Sequence, residues 1–540
     1  MSDETCDYVI VGGGTAGCVL AERLSAGGRF GVVVLEAGPA DRSPWIHLPI
    51  GYGKTMVHEE LNWGFHSEPE PFLDQRRVYT PRGRCLGGSS SINGLIYIRG
   101  QAADFDAWAQ AGNPGWAWKD VLPYFRRAEA NVRGEDEWHG GNGPVHVDDI
   151  GERHPLMDAI AAGARELGVA HNPDFNGAAQ QGVGYYQLTK RRGLRVSAAT
   201  AYLRPARRRA NLRVVTGAHV GRIEFDGGRA TGVRYRRGEH EFRVNARREV
   251  ILAAGALQTP QLLQCSGVGD SGLVSALGVP LVHHLPGVGE NLQDHLQLRL
   301  IYRVARPITT NDDLRTLHGR LRIGLRWLFA RSGPLAVGIN QGGLFVRVLA
   351  ESASPDVQFH FATLSADTAG GQVHPWSGCT FSVCQLRPRS RGHVRARNAS
   401  TRHAPAILFN YLEHELDRRA AVAGIRFARR LAATAPLREL LEGEYRPGPE
   451  CADEDEALLA FARAHGQTIF HPVGTCRMGD DELAVVDARL CVHGLAGLRV
   501  VDASVMPTLV SGNTCAATVM IAEKAADLIL EDGAASRAAA

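Results

Sequence analysis

Residues 12–17, Gly12-Gly13-Gly14-Thr15-Ala16-Gly17, fit the pattern G-x-G-x-x-G and have a task that spacing alone defines. Gly12 permits a tight turn, Gly14 lets a pyrophosphate approach the backbone, and Gly17 lets a helix and a strand pack closely. A helix opening here offers free N–H groups and a partial positive charge to phosphates. Glu36, at the end of the following strand pattern, can accept hydrogen bonds from an adenosine ribose. A second cluster, Gly87-Gly88-Ser89-Ser90-Ser91, leaves backbone N–H groups free for a flat ligand or a phosphate, with a plain connecting loop as the alternative. A third is H-P-V-G-T-C-R-M-G at residues 471–479. Pro472 biases His471 to an extended backbone and Gly474 keeps the loop compact, so the imidazole can project from a fixed turn. With 21 histidines in the chain, a structural role is the ordinary reading of any one of them. Asn513 precedes a last helical pattern with Ala516, Val519, Met520 and Ala526 apolar, and asparagine suits an N-cap.

The elements around these residues follow from periodicity. Residues 7–11 (D-Y-V-I-V) read as a buried strand, 18–24 as a helix through Val19, Leu20 and Leu24, and 32–35 as a second strand. Strand, glycine turn, helix, strand and acid in register make a dinucleotide site. Residues 249–255 read as another buried strand, followed by a helix through Gln264. Residues 499–501 are a late strand ending at Asp502, so the nucleotide domain is discontinuous. Residues 211–215, 222–225 and 231–235, with Asp226-Gly227-Gly228 between the last two, predict a small inserted meander. Alternating segments such as 357–361 and 381–386 predict an antiparallel sheet in a second domain. The division expected is 1–155, 196–300 and 464–540 for the nucleotide domain, and 156–195 and 301–463 for the second. Alanine-rich residues 534–540 are expected to form a loose tail.

The totals narrow the class. A chain of 540 residues holds two or more domains. With 60 basic and 57 acidic residues it calls for neither nucleic acid nor a strongly acidic substrate. Ten scattered cysteines form no C-x-x-C pair and lack zinc spacing, so no metal site and reduced thiols are expected. Residues 1–7 have no apolar signal region and no long apolar run follows, which predicts a cytoplasmic location without a membrane span. Leu314, Leu317, Leu321, Leu325 and Leu328 follow helical spacing, with Arg315, Arg322 and Arg326 on other faces. Packing of this helix on its own core is expected, and peripheral contact with the inner face of a membrane is the alternative.

Over its whole length the sequence resembles the glucose–methanol–choline (GMC) family of flavin oxidoreductases. Residues 82–100 look like the family's first signature, and 255–269 (G-A-L-Q-T-P-Q-L-L through S-G-V-G) like its second. Residues 471–479 and Gly512-Asn513-Thr514 look like its active-site segments. The closest general likeness is to choline dehydrogenase-like and aliphatic alcohol dehydrogenase members. The resemblance implies an α/β plus α+β fold class: a discontinuous Rossmann-like FAD-binding domain joined to an antiparallel-sheet substrate-binding domain. It implies FAD, with the pyrophosphate near Gly12, Gly14, Thr15, Ala16 and Gly17 and the ribose on Glu36 beside Ala37. The flavin ring falls near Arg82, Gly87, Gly88, Ser89, Asn93 and Gly94, with Pro472 and Thr514 also in contact. Trp63 lies near the adenine, which Val220 touches through its backbone, while Asp502 and Ala503 face the pyrophosphate and ribityl chain.

Taking a hydride from an alcohol carbon requires the hydroxyl proton to leave to a base. The resemblance places His471 at the flavin as that base and Asn513 as the hydrogen-bond partner of the substrate oxygen. A helix N-terminus behind Asn513 would also stabilise negative charge on a reduced ring. The activity implied is oxidation of a primary alcohol, aliphatic or arylic, to the aldehyde, with a quinone or oxygen as acceptor.

Three positions depart from the family pattern. Ile92 stands where some members carry a histidine linked covalently to FAD, so dissociable FAD is expected. Cys515 stands where G-N-T-N is usual. Asn340 stands where choline and alkanol dehydrogenases tend to have glutamate, which weakens the case for a quaternary ammonium substrate. The alternatives are choline dehydrogenase proper, a lyase or fatty-acid photodecarboxylase of the same fold, and a flavin-binding protein without turnover. Photodecarboxylases lack the histidine of H-P-V-G-T, which this chain keeps; a hydroxynitrile lyase could keep it.

Overall fold

The computed structural model describes residues 4–368 and 370–538. Two seven-stranded sheets organise the chain. Their strands in chain order are β1 (Glu4–Val11), β2 (Val32–Glu36), β3 (Gly182–Tyr185), β4 (Leu212–Thr216), β5 (His219–Asp226), β6 (Arg229–Arg237) and β7 (His240–Leu252). They continue with β8 (Leu296–Val304), β9 (Asn340–Val346), β10 (Val357–Ala362), β11 (Gly378–Gln385), β12 (Leu441–Arg446), β13 (Gln467–Thr468) and β14 (Leu498–Val500). The helices used below are α1 (Thr15–Ser25), α2 (Gln258–Cys265), α3 (Leu317–Ala330), α4 (Glu415–Ala432) and α5 (Cys515–Ala538).

The first sheet runs β4-β2-β1-β7-β6-β5, with β14 also on β7. Every residue of β2 is buried, as expected of a parallel strand covered on both faces. β7 is 13 residues long and serves two neighbours on one edge. Residues 240–245 pair antiparallel with β6, and residues 250–252 pair parallel with β14. The C-terminal segment therefore completes the sheet that the first residues open. The meander expected from residues 211–235 takes a different form. β4 lies parallel to β2 at the far edge, and only β5 and β6 form an antiparallel extension, beside β7. Short apolar strands give no pairing partner by composition alone.

The second sheet runs β12-β8-β11-β10-β9-β3, antiparallel throughout, with β13 also on β8. Its strands alternate. Leu298, Leu300, Phe359, Phe361, Phe381 and Val383 join one hydrophobic core with Ile425, Phe427 and Leu431 of α4. Gln297, Arg299, His360, Thr380 and Ser382 occupy the intervening positions and face the large cavity between the sheets. β8 begins at Leu296 and pairs with Gln467-Thr468, so the boundary expected at residue 301 falls within β8, and β13 lies beyond the boundary expected at residue 463.

Two helical expectations change. The leucine-rich segment is two helices, Thr310–Arg315 and α3, broken at Thr316, which caps α3 by accepting from Gly319 N at 3.0 Å. Its leucine stripe is not packed on a core: Leu317 is 83% exposed, Leu321 61% and Phe329 81%. The expected tail is helical through Ala538, as part of α5, and Ala539 and Ala540 lie outside the described residues.

Candidate active site

His471 is fixed by its backbone before its side chain acts. Phe470 adopts φ +73, and its N–H donates to Thr468 Oγ1 at 2.7 Å. Its carbonyl accepts from Arg82 Nη1 at 2.7 Å. The His471 N–H donates to Asp294 Oδ1 at 2.7 Å, while Asp294 Oδ2 accepts from Tyr411 at 2.5 Å and from Thr468 Oγ1. Burial pushes the Asp294 carboxyl up to about 6, against these donors. Arg82, expected beside the flavin, lines the cavity and also clamps the turn that carries the histidine.

The imidazole is oriented by a second histidine. His295 Nε2 lies 3.0 Å from the Leu386 carbonyl, and His295 Nδ1 lies 3.0 Å from His471 Nδ1. A carbonyl only accepts, so His295 carries its proton on Nε2 and presents a lone pair at Nδ1. His471 must then hold its proton on Nδ1, which leaves Nε2 unprotonated and able to accept. Burial pushes His295 down to about 4 and holds His471 well below the ordinary histidine value, so both rings are neutral at pH 7.

His471 Nε2 faces Asn513 Nδ2 at 3.2 Å. The amide is held from behind: Gln358 Nε2 donates to Asn513 Oδ1 at 3.4 Å and to Tyr186 OH at 2.9 Å, and Tyr186 donates to the Phe359 carbonyl at 2.8 Å. Asn513 is therefore no N-cap. It lies two residues ahead of α5, and its side chain reaches across to the second sheet. His471 Nε2 can accept a proton, and Asn513 Nδ2 can donate a hydrogen bond to the oxygen that gives it up.

A single cavity joins this pair to the glycine turn. Gly12, Gly14, Thr15, Ala16, Glu36 and Ala37 line one end. Gly14 precedes α1 without a side-chain cap, so the first N–H groups of the helix stay free for a ligand. Gly88 must lack a side chain: with φ +51, a Cβ there would stand 2.8 Å from Gly14 Cα. Glu36 accepts from Gly13 N and Gly38 N, both at 2.8 Å, and burial pushes its carboxyl up to about 7. Trp63 and Val220 line a side wall, and the Val220 carbonyl already accepts from Thr401 Oγ1 at 3.0 Å. Ser89, Asn93, Gly94, Pro472 and Thr514 line the same cavity, as do Ile92 and Cys515. Asp502 and Ala503 also line the cavity, but the Asp502 carboxylate is engaged with Gly255 N, Thr259 Oγ1 and Ser504 N.

Two of the expected contacts are not in the lining. A Cβ on Gly17 would stand 1.9 Å from the Gly12 carbonyl, so this glycine serves helix–strand packing. Gly87, at φ +85, shapes the loop from behind by donating its N–H to the Gly13 carbonyl at 2.8 Å. His295, Asp294, Gln358, His360 and Arg299 were missed. For Arg299, Gln358 and His360 the available signal was polar residues alternating with apolar ones along β8 and β10, as in V-Q-F-H-F-A.

The glycine turn and the His471–Asn513 pair at two ends of one cavity agree with comparisons to known proteins. Two GMC oxidoreductase models match residues 6–297 and 388–522. The chain belongs to the GMC oxidoreductase family. This GMC oxidoreductase is 41% identical over 528 residues to an alcohol dehydrogenase [acceptor] of Pseudomonas putida, covering 97% of this chain and 95% of the relative. It is 44% identical over 530 residues to an oxygen-dependent choline dehydrogenase of Serratia proteamaculans (strain 568), with 97% and 95% covered. A solved pyridoxine 4-oxidase from Mesorbium loti superposes with a TM-score of 0.88 at 30% identity, covering 97% of this chain and 98% of that one. The protein is a FAD-dependent oxidoreductase acting on CH–OH groups. The residues present fit FAD: an uncapped helix start behind Gly14, a cradle at Gly88 that a Cβ would fill, and the buried Glu36 carboxylate beyond.

Proposed function

We propose that this GMC oxidoreductase oxidises a primary alcohol, aliphatic or arylic, to the aldehyde, with His471 as the base. The observation that carries this reading is the Leu386–His295–His471 chain, which leaves His471 Nε2 unprotonated and accepting from Asn513 Nδ2 at 3.2 Å. A hydroxyl placed between the two side chains would donate its proton to Nε2 and accept from Asn513 Nδ2. FAD, when bound, supplies the acceptor for the hydride that leaves the C–H bond. Gly12, Gly14, Thr15, Ala16 and Glu36 hold its nucleotide end, Asn93, Gly94 and Thr514 its ring end, and the second sheet serves as the substrate-binding domain. Ile92 offers no nucleophile, so the cofactor is held without a covalent link. Its electrons pass on to a quinone or to oxygen.

Anaerobic stopped-flow mixing of the holoenzyme with a panel of alcohols tests the reading. Bleaching of the oxidised flavin band by a primary alcohol is expected. Readmission of air then separates the acceptors, rapid return of colour meaning oxygen and slow return a quinone. A flavin that stays oxidised with every alcohol would turn the assignment toward the lyase or photodecarboxylase chemistries.

No helix among the described residues is long and apolar enough to cross a membrane. We further propose peripheral contact of α3 with an anionic bilayer surface, on the strength of its bared leucine stripe. The helix contains no acidic residue, and of its arginines Arg322 pairs with Asp313 and Arg326 with Glu152, while Arg320 is exposed. That charge suits an anionic lipid surface.

A further inference from the structure

The substrate half of the cavity is cationic. Arg299 on β8 lines it, its Nη1 shut off from solvent without a hydrogen-bond partner, and Arg299 forms no salt bridge among the described residues. Asp367 and Tyr52 interact with it only electrostatically, and Asp367 is itself paired with Arg446 at 2.6 Å. Glu36 and Asp502 supply the acidic groups in the cavity lining, at the nucleotide end and already engaged by backbone N–H groups. Asn340, which also lines the cavity, is an amide without charge. Burial of an unpaired guanidinium is costly, and burial lowers the pKa of Arg299 to about 10.

The surroundings of Arg299 are built in one row across three strands. Arg299 of β8 pairs with Ser382 of β11, which pairs with His360 of β10, and all three line the cavity. Neighbouring strands lie about 4.8 Å apart, so the row spans roughly 10 Å. His360 is fully buried, and both of its ring nitrogens lack a hydrogen-bond partner among the described residues. Burial pushes it down to about 3, with the Asn513 amide pulling weakly the other way, so the ring is neutral and has one N–H to give. His360 thus marks the end of the row nearest the His471–Asn513 pair, and Arg299 marks the other.

We propose that the alcohol oxidised here carries a carboxylate, its hydroxyl at His471 and Asn513 and its anionic group on Arg299. This rests on the alcohol-oxidation reading and narrows it to hydroxy acids. The guanidinium receives the carboxylate, while Ser382 and the neutral His360 offer hydrogen bonds along the path between the two ends. A quaternary ammonium alcohol meets the wrong sign of charge at the same place.

The test uses the holoenzyme and matched pairs: hydroxy acids HO–CH2–(CH2)n–COOH, their neutral primary amides, and choline. Flavin bleaching should proceed with kcat/KM about tenfold or more higher for the acid than for its amide, the range of one charge-assisted hydrogen-bond pair, and choline should be slowest. Arg299→Gln should bring the acid-to-amide ratio to near one, and Arg299→Lys should keep part of it. Carboxylic acids without a hydroxyl should perturb the flavin absorbance of the wild type and bind about tenfold more weakly to Arg299→Gln. Equal rates for acid and amide in the wild type would overturn the carboxylate assignment while leaving alcohol oxidation standing, whether or not the variants fold. An acid preference that survives in Arg299→Gln would overturn the role of Arg299. No bleaching by any alcohol would remove the alcohol reading and this inference with it.

Discussion

His295 Nδ1 and His471 Nδ1 lie 3.0 Å apart, and the Leu386 carbonyl on the far side of His295 decides which of them carries the proton. The tautomer of the proposed base is therefore set by a neighbouring histidine. Replacing His295 with leucine frees His471 to adopt either tautomer, and kcat should fall about 10²-fold while FAD stays bound. His295→Gln, which can still accept at the same place, should restore part of that loss. Equal kcat in His295→Leu and wild type would refute the positioning role.

His471 is the proposed proton acceptor. His471→Ala should retain FAD, read by its absorbance, and lose about 10²–10⁴-fold in kcat. Unchanged turnover in that variant would sink the assignment.

The pH profile carries a sign that distinguishes this site from an exposed histidine. Burial first, then the neighbouring His295, His360 and Arg82, holds His471 well below its usual 6.5. A base whose pKa is lowered remains unprotonated as pH falls through 6.5. So kcat/KM should stay level through that point and decline only at lower pH. An acid limb centred at or above pH 6.5 would contradict the buried, neutral pair.

How much of this was legible in the sequence depends on range. The glycine turn, α1, β2 and Glu36 were readable because strand, turn, helix and acid are local and each constrains the next. His471 and Asn513 were found through the family resemblance, and the roles proposed for them rest on His295 and Gln358, which are remote in the chain. Asp294 and His295 precede β8 with no local pattern to mark them. The leucines at 317, 321, 325 and 328 show the opposite difficulty: helical spacing defines a face but not what covers it. The continuous sheet edge of β7 was hidden because one strand serves two partners in succession.

Gly17 supplies a stability test. A methyl group added at Gly17 would stand 1.9 Å from the Gly12 carbonyl oxygen, so Gly17→Ala forces α1 away from β1. The cost should be roughly 3 kcal/mol, seen as a lower denaturation midpoint together with loss of FAD. A variant that keeps both would mean that the helix and strand part without penalty.

The bared face of α3 predicts binding to lipid. Vesicles containing phosphatidylglycerol should co-sediment the protein, and Leu321→Glu with Phe329→Glu should abolish sedimentation without changing kcat on a soluble alcohol. Equal sedimentation of the wild type and this double variant would exclude the helix as the contact.

The long strand β7 has a consequence for how the protein is made. Its residues 250–252 wait for β14, residues 498–500, and the cavity lining runs from Val11 to Thr518. Residues as far as Thr518 must therefore be synthesised before the cleft has both walls. Until then the nascent chain carries an open strand edge able to recruit other chains. A product ending before residue 498 should aggregate rather than yield a weakly active fragment, and the cofactor cleft closes only once β14 has joined β7.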